Sequence, residues 1–146
     1  MSNQFAKQTL LSFYFKNWDY TDFKTIADQY ALTKIDLITR PKAIKQIKKH
    51  QAQGDQVVIV SASISLWLEA WCEQHQIILI ATQFEIKDHK ITGKFATKNC
   101  FGAEKVNRIK AQFDLTKISK IMAYGDSSGD KEMLALADKA LYRHFE

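Results

Sequence analysis

Val57-Val58-Ile59-Val60 is an unbroken run of β-branched residues between Gly54-Asp55 and Ser61-Ala62-Ser63. A run without polar alternation suits a strand covered on both faces, as in a parallel sheet. Parallel strands need crossover connections, and the flanking sequence offers helices for them. Arg40-Pro41 opens a helical pattern that reaches about Gln53, with Ala43, Ile44 and Ile47 inward and lysines outward. Proline suits the first turn of a helix and Gly54 is placed to end it. Beyond the run, Leu66, Leu68, Ala70 and Trp71 read as a second helix. It leads to another apolar run, Ile77-Ile78-Leu79-Ile80. Helix and strand alternate, which predicts an α/β fold with a parallel sheet.

Downstream, Phe84-Glu85-Ile86 and Lys90 to Phe95 flank Lys87-Asp88-His89 and predict a β-hairpin, although its turn lacks the usual glycine. Asn99-Cys100-Phe101-Gly102 reads as a loop and Ala103 to Phe113 as a helix with Val106, Ile109 and Phe113 on one face. Lys105 falls in its first turn, where a cation opposes the helix dipole at a cost of a few tenths of a kcal/mol, roughly. A solvated surface lysine tolerates that cost, and so does a lysine aimed into an anion site. The apolar run Ile121 to Tyr124 ends in Gly125-Asp126, followed by Ser127-Ser128-Gly129-Asp130 and an amphipathic stretch. This pattern predicts a strand, a tight turn and the start of a helix. Ligands of open α/β sheets bind at such a carboxyl edge. Asp126 and Asp130 can be two carboxylates for a hard cation such as Mg²⁺, or a loop aspartate and a helix cap. Ala140-Leu141-Tyr142 reads as a short edge strand.

The first forty residues read as helical and carry crowded aromatic and aliphatic side chains, among them Phe5, Leu10, Leu11, Phe13, Tyr14 and Phe15. Asn17-Trp18-Asp19 breaks the pattern. Thr21-Asp22 is positioned to cap a second helix over Phe23 to Tyr30. So many large apolar groups must pack on the rest of the chain or meet a partner. With 146 residues, the chain has the length of one domain. A net charge of +5, from scattered lysines, favours anionic partners only weakly. Lys42, Lys45, Lys48 and Lys49 fall on one predicted helix as a solvated face, so nucleic acid is not an expected partner. Cys72 and Cys100 form no CxxC pair, which suits a reducing, cytoplasmic compartment. No apolar run approaches the roughly 18 residues of a membrane span. Gln4, Lys7 and Gln8 interrupt any signal-peptide core.

Taken in order, Val57 to Ser63, Asn99 to Lys105 and Gly125 to Asp130 resemble the second, third and fourth motifs of the haloacid dehalogenase (HAD) superfamily of phosphohydrolases, nearest to its phosphoserine-phosphatase-like branch. The resemblance implies a three-layer, Rossmann-like parallel-sheet core over residues 40–146, a helical cap remnant over 1–39, and a hairpin between the second and third motifs. It implies Mg²⁺ as cofactor, with Asp126 as a ligand and Asp130 as a supporting carboxylate, direct or through another group. Ser61 would donate to a phosphate oxygen beside the backbone N–H groups of Ala62 and Ser63. Lys105 would neutralise charge, and a small phosphorylated metabolite would be the substrate. The family's first motif, an apolar strand ending in Asp-x-Asp-x-Thr, supplies the nucleophile and the general acid. No Asp-x-Asp occurs in this sequence. Asp19-Tyr20-Thr21-Asp22 has the wrong spacing, and Ile35-Asp36-Leu37-Ile38-Thr39 lacks the second aspartate. The resemblance therefore implies a chain that begins inside the cap and is inactive alone. The missing strand's place between those ending at Ser61 and Gly125 would be filled by residues 1–39, by another chain or by altered pairing. The alternative expectation is a non-catalytic module that binds Mg²⁺ and phosphate, or a partner, with self-association through the exposed apolar surface.

Overall fold

The computed structural model describes residues 3–146. The chain divides into two compact units, Met1–Asn99 and Cys100–Glu146.

The first unit opens with helices α1 (Asn3–Phe15) and α2 (Tyr20–Ile38). The break between them falls where the sequence predicts it, with Asn17 at φ 69°. The cap is Asp19 rather than Thr21-Asp22. Its carboxylate accepts from the Thr21 and Asp22 N–H groups at 2.8 and 3.2 Å, satisfying two donors that a helix start leaves open. The helix also runs well past Tyr30, because Phe23, Ala27, Ala31 and Ile35 continue one buried stripe at every fourth residue. It stops before Arg40, which is extended as a residue ahead of proline should be. Asp36, which faintly echoed the family's first motif, lies inside this helix and accepts a 2.7 Å hydrogen bond from Trp71 Nε1.

Helix α3 (Pro41–Ala52) leaves Lys42, Lys45, Lys48 and Lys49 exposed, as a solvated face. Strands β1 (Val58–Ile64) and β2 (Ile78–Thr82) pair in parallel. The crossover is shorter than the single helix expected: a 3₁₀ turn, Ser65–Trp67, then α4 (Glu69–Gln74). Strand β1 is only half-buried up to Ala62, not sealed on both faces, because its sheet is two strands wide. It also does not stop at Ser61. The register runs evenly to Ser61↔Ala81 and resumes at Ile64↔Thr82, so Ala62 and Ser63 bulge out of the ladder.

The hairpin forms as predicted from β3 (Phe84–Lys87) and β4 (Lys90–Phe95). Its turn needs no glycine, because Asp88 and His89 both take left-handed backbone, at φ 47° and 62°. Helix α1 crosses β4 closely enough that a Cβ on Gly93, itself at φ +87°, would overlap the Ser12 side chain. One core cluster gathers Phe23, Ala27, Ile64, Leu66, Phe84 and Ile91, with Phe15 and Trp67 packed against it. A second gathers Ala31, Ile35, Trp71, Cys72 and Ile77. The helical segment expected over residues 1–39 shares both cores with the residues that follow it. Its first two residues lie outside those described. Phe13 and Leu37 remain 83 % and 75 % exposed. Among the described residues up to Ile38 no extended strand forms.

The second unit contains α5 (Ala103–Gln112), a 3₁₀ turn at Leu115–Lys117, β5 (Met122–Gly125), a 3₁₀ turn at Ser128–Asp130, α6 (Lys131–Leu136) and β6 (Lys139–Tyr142). Strands β5 and β6 are parallel, in register from Met122↔Lys139 to Gly125↔Tyr142. The architecture is mixed α/β with two parallel pairs. Among the described residues no helix is long and apolar enough to cross a membrane.

Phe23 is fully buried, its ring 5.0 Å from those of Phe15 and Trp67. Phe23→Ala should cost the first unit about 3–5 kcal/mol. Urea unfolding followed by tryptophan fluorescence reads this directly, because all three tryptophans lie in that unit.

Candidate anion and metal site

In the second unit the site is organised by one carboxylate. Asp130 is 6 % exposed and its carboxylate accepts four hydrogen bonds, one on Oδ1 and three on Oδ2. Lys105 Nζ donates to Oδ1 at 2.8 Å. The Asp126 N–H, the Ser127 N–H and the Ser127 hydroxyl donate to Oδ2 at 3.1, 3.0 and 2.9 Å. Ser127 and Asp130 thereby form a reciprocal capping box at the 3₁₀ turn. Gly125 makes room for this return of the side chain. A Cβ there would stand 2.6 Å from the Asp130 Cβ.

Burial pushes the Asp130 carboxyl up. The hydrogen bond and charge of Lys105 and the two Ser127 donors outweigh it and hold the group below its ordinary range. Lys105 is 7 % exposed, which decides between the readings its position left open: it is not a surface lysine. The start of α5 is tied to the same loop by Gly102 N–H donating to Gly129 O at 3.0 Å. Asp126 stands exposed at the strand tip. Arg143 lies beside it, its N–H on Gly125 O at 2.8 Å and its guanidinium within electrostatic reach of the Asp126 carboxylate.

Lys105, Asp126 and Asp130 therefore meet. The two aspartates do different things, however. Asp130 is held by four of the protein's own donors, whereas Asp126 is exposed at the edge. Among the described residues no three His, Cys, Asp or Glu side chains cluster as a metal cage. Mg²⁺ does not demand one, since it is commonly held by one or two carboxylates together with waters and substrate phosphate. The donor set fits that mode: Asp126 could hold such an ion, with Asp130 behind it.

In the first unit Ser61, Ala62 and Ser63 form the bulge at the end of the regular β1 pairing. The Ser63 N–H donates to Ser61 Oγ at 3.0 Å. The Ala62 carbonyl accepts from Lys7 Nζ and from the Thr82 hydroxyl at 3.0 Å. Lys7 also donates to Asn99 Oδ1 at 3.1 Å, and Thr82 reaches the same oxygen at 3.3 Å. Lys7, Thr82 and Asn99 escaped the motif reading. The one available signal was that Lys7 is the only charged residue in α1.

Among the histidines, His50 bonds Asp55 at 2.7 Å and His89 bonds Thr21 at 2.8 Å, while the His75 ring lies tilted against Trp71 and His144 lies against Tyr124. Both cysteines are buried, and burial, then Glu69, pushes the Cys72 thiol up to about 11, which removes it as a nucleophile.

Known proteins give this geometry a context. The family model for haloacid dehalogenase-like hydrolases matches residues 4–135. Protein CicA of Caulobacter vibrioides (strain NA1000 / CB15N) is 34 % identical over 126 residues, covering 85 % of this chain and 54 % of that protein. The chain thus spans about half the length of the curated relatives it matches. A protein of unknown function from Bordetella pertussis Tohama I superposes with a TM-score of 0.81 at 20 % identity, covering 94 % of this chain and 64 % of the other. A "probable phosphoserine phosphatase" from Vibrio cholerae gives 0.67 at 16 % identity, over 90 % of this chain and 44 % of that one. At such identities the structural matches speak for the fold.

Because the Asp130 carboxyl sits lower in the folded state than unfolded, its contribution to stability is complete above its unfolded value, about 4. It is lost as pH falls through the lower folded value. Asp130→Ala should cost about 3–5 kcal/mol at neutral pH by leaving Lys105 buried without that partner. It should also flatten the acid limb of stability. Urea titrations by circular dichroism at neutral pH and at about pH 3 compare the two slopes.

Proposed function

The chain belongs to the haloacid dehalogenase-like hydrolase family, and on that premise we propose that it carries the phosphate- and magnesium-binding parts of a phosphomonoester hydrolase of the phosphoserine-phosphatase type, acting on a small phosphorylated metabolite. The observation that carries this reading is the buried Asp130 carboxylate with its four protein donors. It fixes the backbone from Gly125 to Ser127 and leaves the Asp126 carboxylate, not its own, at the strand tip.

In this reading Asp126 holds Mg²⁺, which offsets charge on the phosphoryl oxygens. Asp130 supports Asp126 through its N–H and restrains Lys105, whose ammonium neutralises charge on the anion. Ser61 accepts from Ser63 N–H and donates its own proton to a phosphate oxygen. Hydrolysis by the family's route further requires a carboxylate nucleophile and a second carboxylate to move the proton, and this sequence has no Asp-x-Asp to provide them.

That lack favours a second reading, a module that binds Mg²⁺ and phosphate, or a partner, without turnover. The exposed Phe13, Leu37 and Ile38 support self-association in that case.

Calorimetric titration with MgCl₂ should show weak binding, millimolar or poorer, that Asp126→Ala removes. Equal affinity in both proteins would overturn the metal assignment.

The 146-residue chain should show no turnover of phosphoserine or an aryl phosphate with Mg²⁺. Activity restored by a peptide bearing Asp-x-Asp-x-Thr supports the hydrolase reading. Continued inactivity, with sedimentation that depends on concentration, supports the module. Turnover by the chain alone, lost on Asp126→Ala, would show that another residue serves as nucleophile.

A further inference from the structure

We infer that Lys7 is a positioning residue for Ser61, acting through the Ala62–Ser63 peptide; this rests on the reading of Ser61 as a phosphate-binding hydroxyl. The bulge removes Ala62 and Ser63 from the even β1–β2 ladder, so the Ala62 carbonyl needs a donor elsewhere. Lys7 Nζ, reaching from α1, and the Thr82 hydroxyl both donate to it. In a trans peptide the carbonyl and the following N–H are coplanar and point in opposite directions. Holding the Ala62 oxygen on one side therefore aims the Ser63 N–H to the other, where it donates to Ser61 Oγ at 3.0 Å. That bond occupies a lone pair of the hydroxyl and turns its proton outward as a donor.

A cation on the carbonyl also polarises the peptide and strengthens its N–H. Lysine suits this task better than a neutral donor. Asn99 Oδ1 accepts a second proton of the Lys7 ammonium at 3.1 Å and so holds Lys7 beside the carbonyl, while the single Thr82 proton goes to the nearer Ala62 oxygen. The chain from Lys7 to Ser61 is thus ammonium, carbonyl, amide, hydroxyl, with every link inside the first unit.

The test is a mutant cycle read by inorganic phosphate binding, followed by the amide shifts of residues 61–64. The variants are Ser61→Ala, Lys7→Met, Thr82→Val and the Lys7→Met/Ser61→Ala double substitution. Lys7→Met should weaken phosphate binding roughly three- to tenfold, the value of one misaligned hydrogen bond. It should also move the Ser63 amide resonance, and it should add nothing once Ser61 is alanine. Thr82→Val loosens the same carbonyl and carries the test if Lys7→Met does not fold. Ser61→Ala without effect on phosphate removes the underlying reading of Ser61. Ser61→Ala with an effect, but Lys7→Met and Thr82→Val without one, overturns this inference alone. Equal weakening by Lys7→Met in both backgrounds also overturns it, since Lys7 would then act independently of Ser61.

Discussion

The buried pairing of Lys105 with Asp130 is the interaction on which the second unit depends. Taking an ammonium and a carboxylate out of water costs several kcal/mol for each ion, roughly. The 2.8 Å contact alone does not guarantee repayment. The balance is met because the carboxylate collects three further donors from the backbone and side chain of Asp126 and Ser127. The arrangement contributes less to raw stability than to shape. A single side chain specifies where the strand-end loop lies and how α5 enters beside it. Set against this, the few tenths of a kcal/mol, roughly, that Lys105 loses against the dipole of α5 is a minor term.

The first unit solves a similar problem with weaker parts. There the group to be fixed is a peptide carbonyl exposed by a bulge, and the cation that fixes it is Lys7. In both units a lysine from a helix holds an oxygen: Lys105 holds Asp130 Oδ1 in the turn after β5, and Lys7 holds the Ala62 carbonyl in the bulge of β1. In both, the group that bears the held oxygen also fixes an N–H next to it. The difference lies in charge. Lys105 meets a full carboxylate and is buried with it, whereas Lys7 meets neutral acceptors in Ala62 and Asn99 and is only half-buried. The desolvation demand falls with the charge of the acceptor.

Local chemistry was what the sequence made legible. Pro41 and Gly54 bracket α3, the apolar runs mark β1, β2 and β5, and the hairpin emerges from residues on either side of Asp88-His89. Misreadings arose where a side chain reaches past its neighbours. Thr21-Asp22 has the composition of a cap, but Asp19 reaches both of their N–H groups and wins. The end of β1 was placed at Ser61 because small hydroxylated residues look like a loop, and a bulge is invisible to a pattern of period two. The fate of Lys105 was undecidable because its partner lies 25 positions away. Lys7 was passed over because its acceptors are a backbone carbonyl 55 residues on and an amide 92 residues on. No motif encodes such pairings; the fold does.

A site built this way can be well ordered and still accomplish no chemistry. In the proposed reading Lys105 would hold a phosphate and Asp126 would share a cation with it. Interactions that hold substrate and transition state equally well lower the concentration at which a site fills, without lowering the barrier from the filled state. A lower barrier needs a group whose interaction grows along the reaction, and in this family's route that is the attacking carboxylate. Neither the hydrogen-bonded His50 and His89 nor the buried thiols stand in for it. On that reading the preorganised Lys105 would strengthen a carboxylate's attack by stabilising charge on the phosphoryl oxygens, but it could not begin it. Binding would then come first, with catalysis conditional on a carboxylate brought to the bound phosphate.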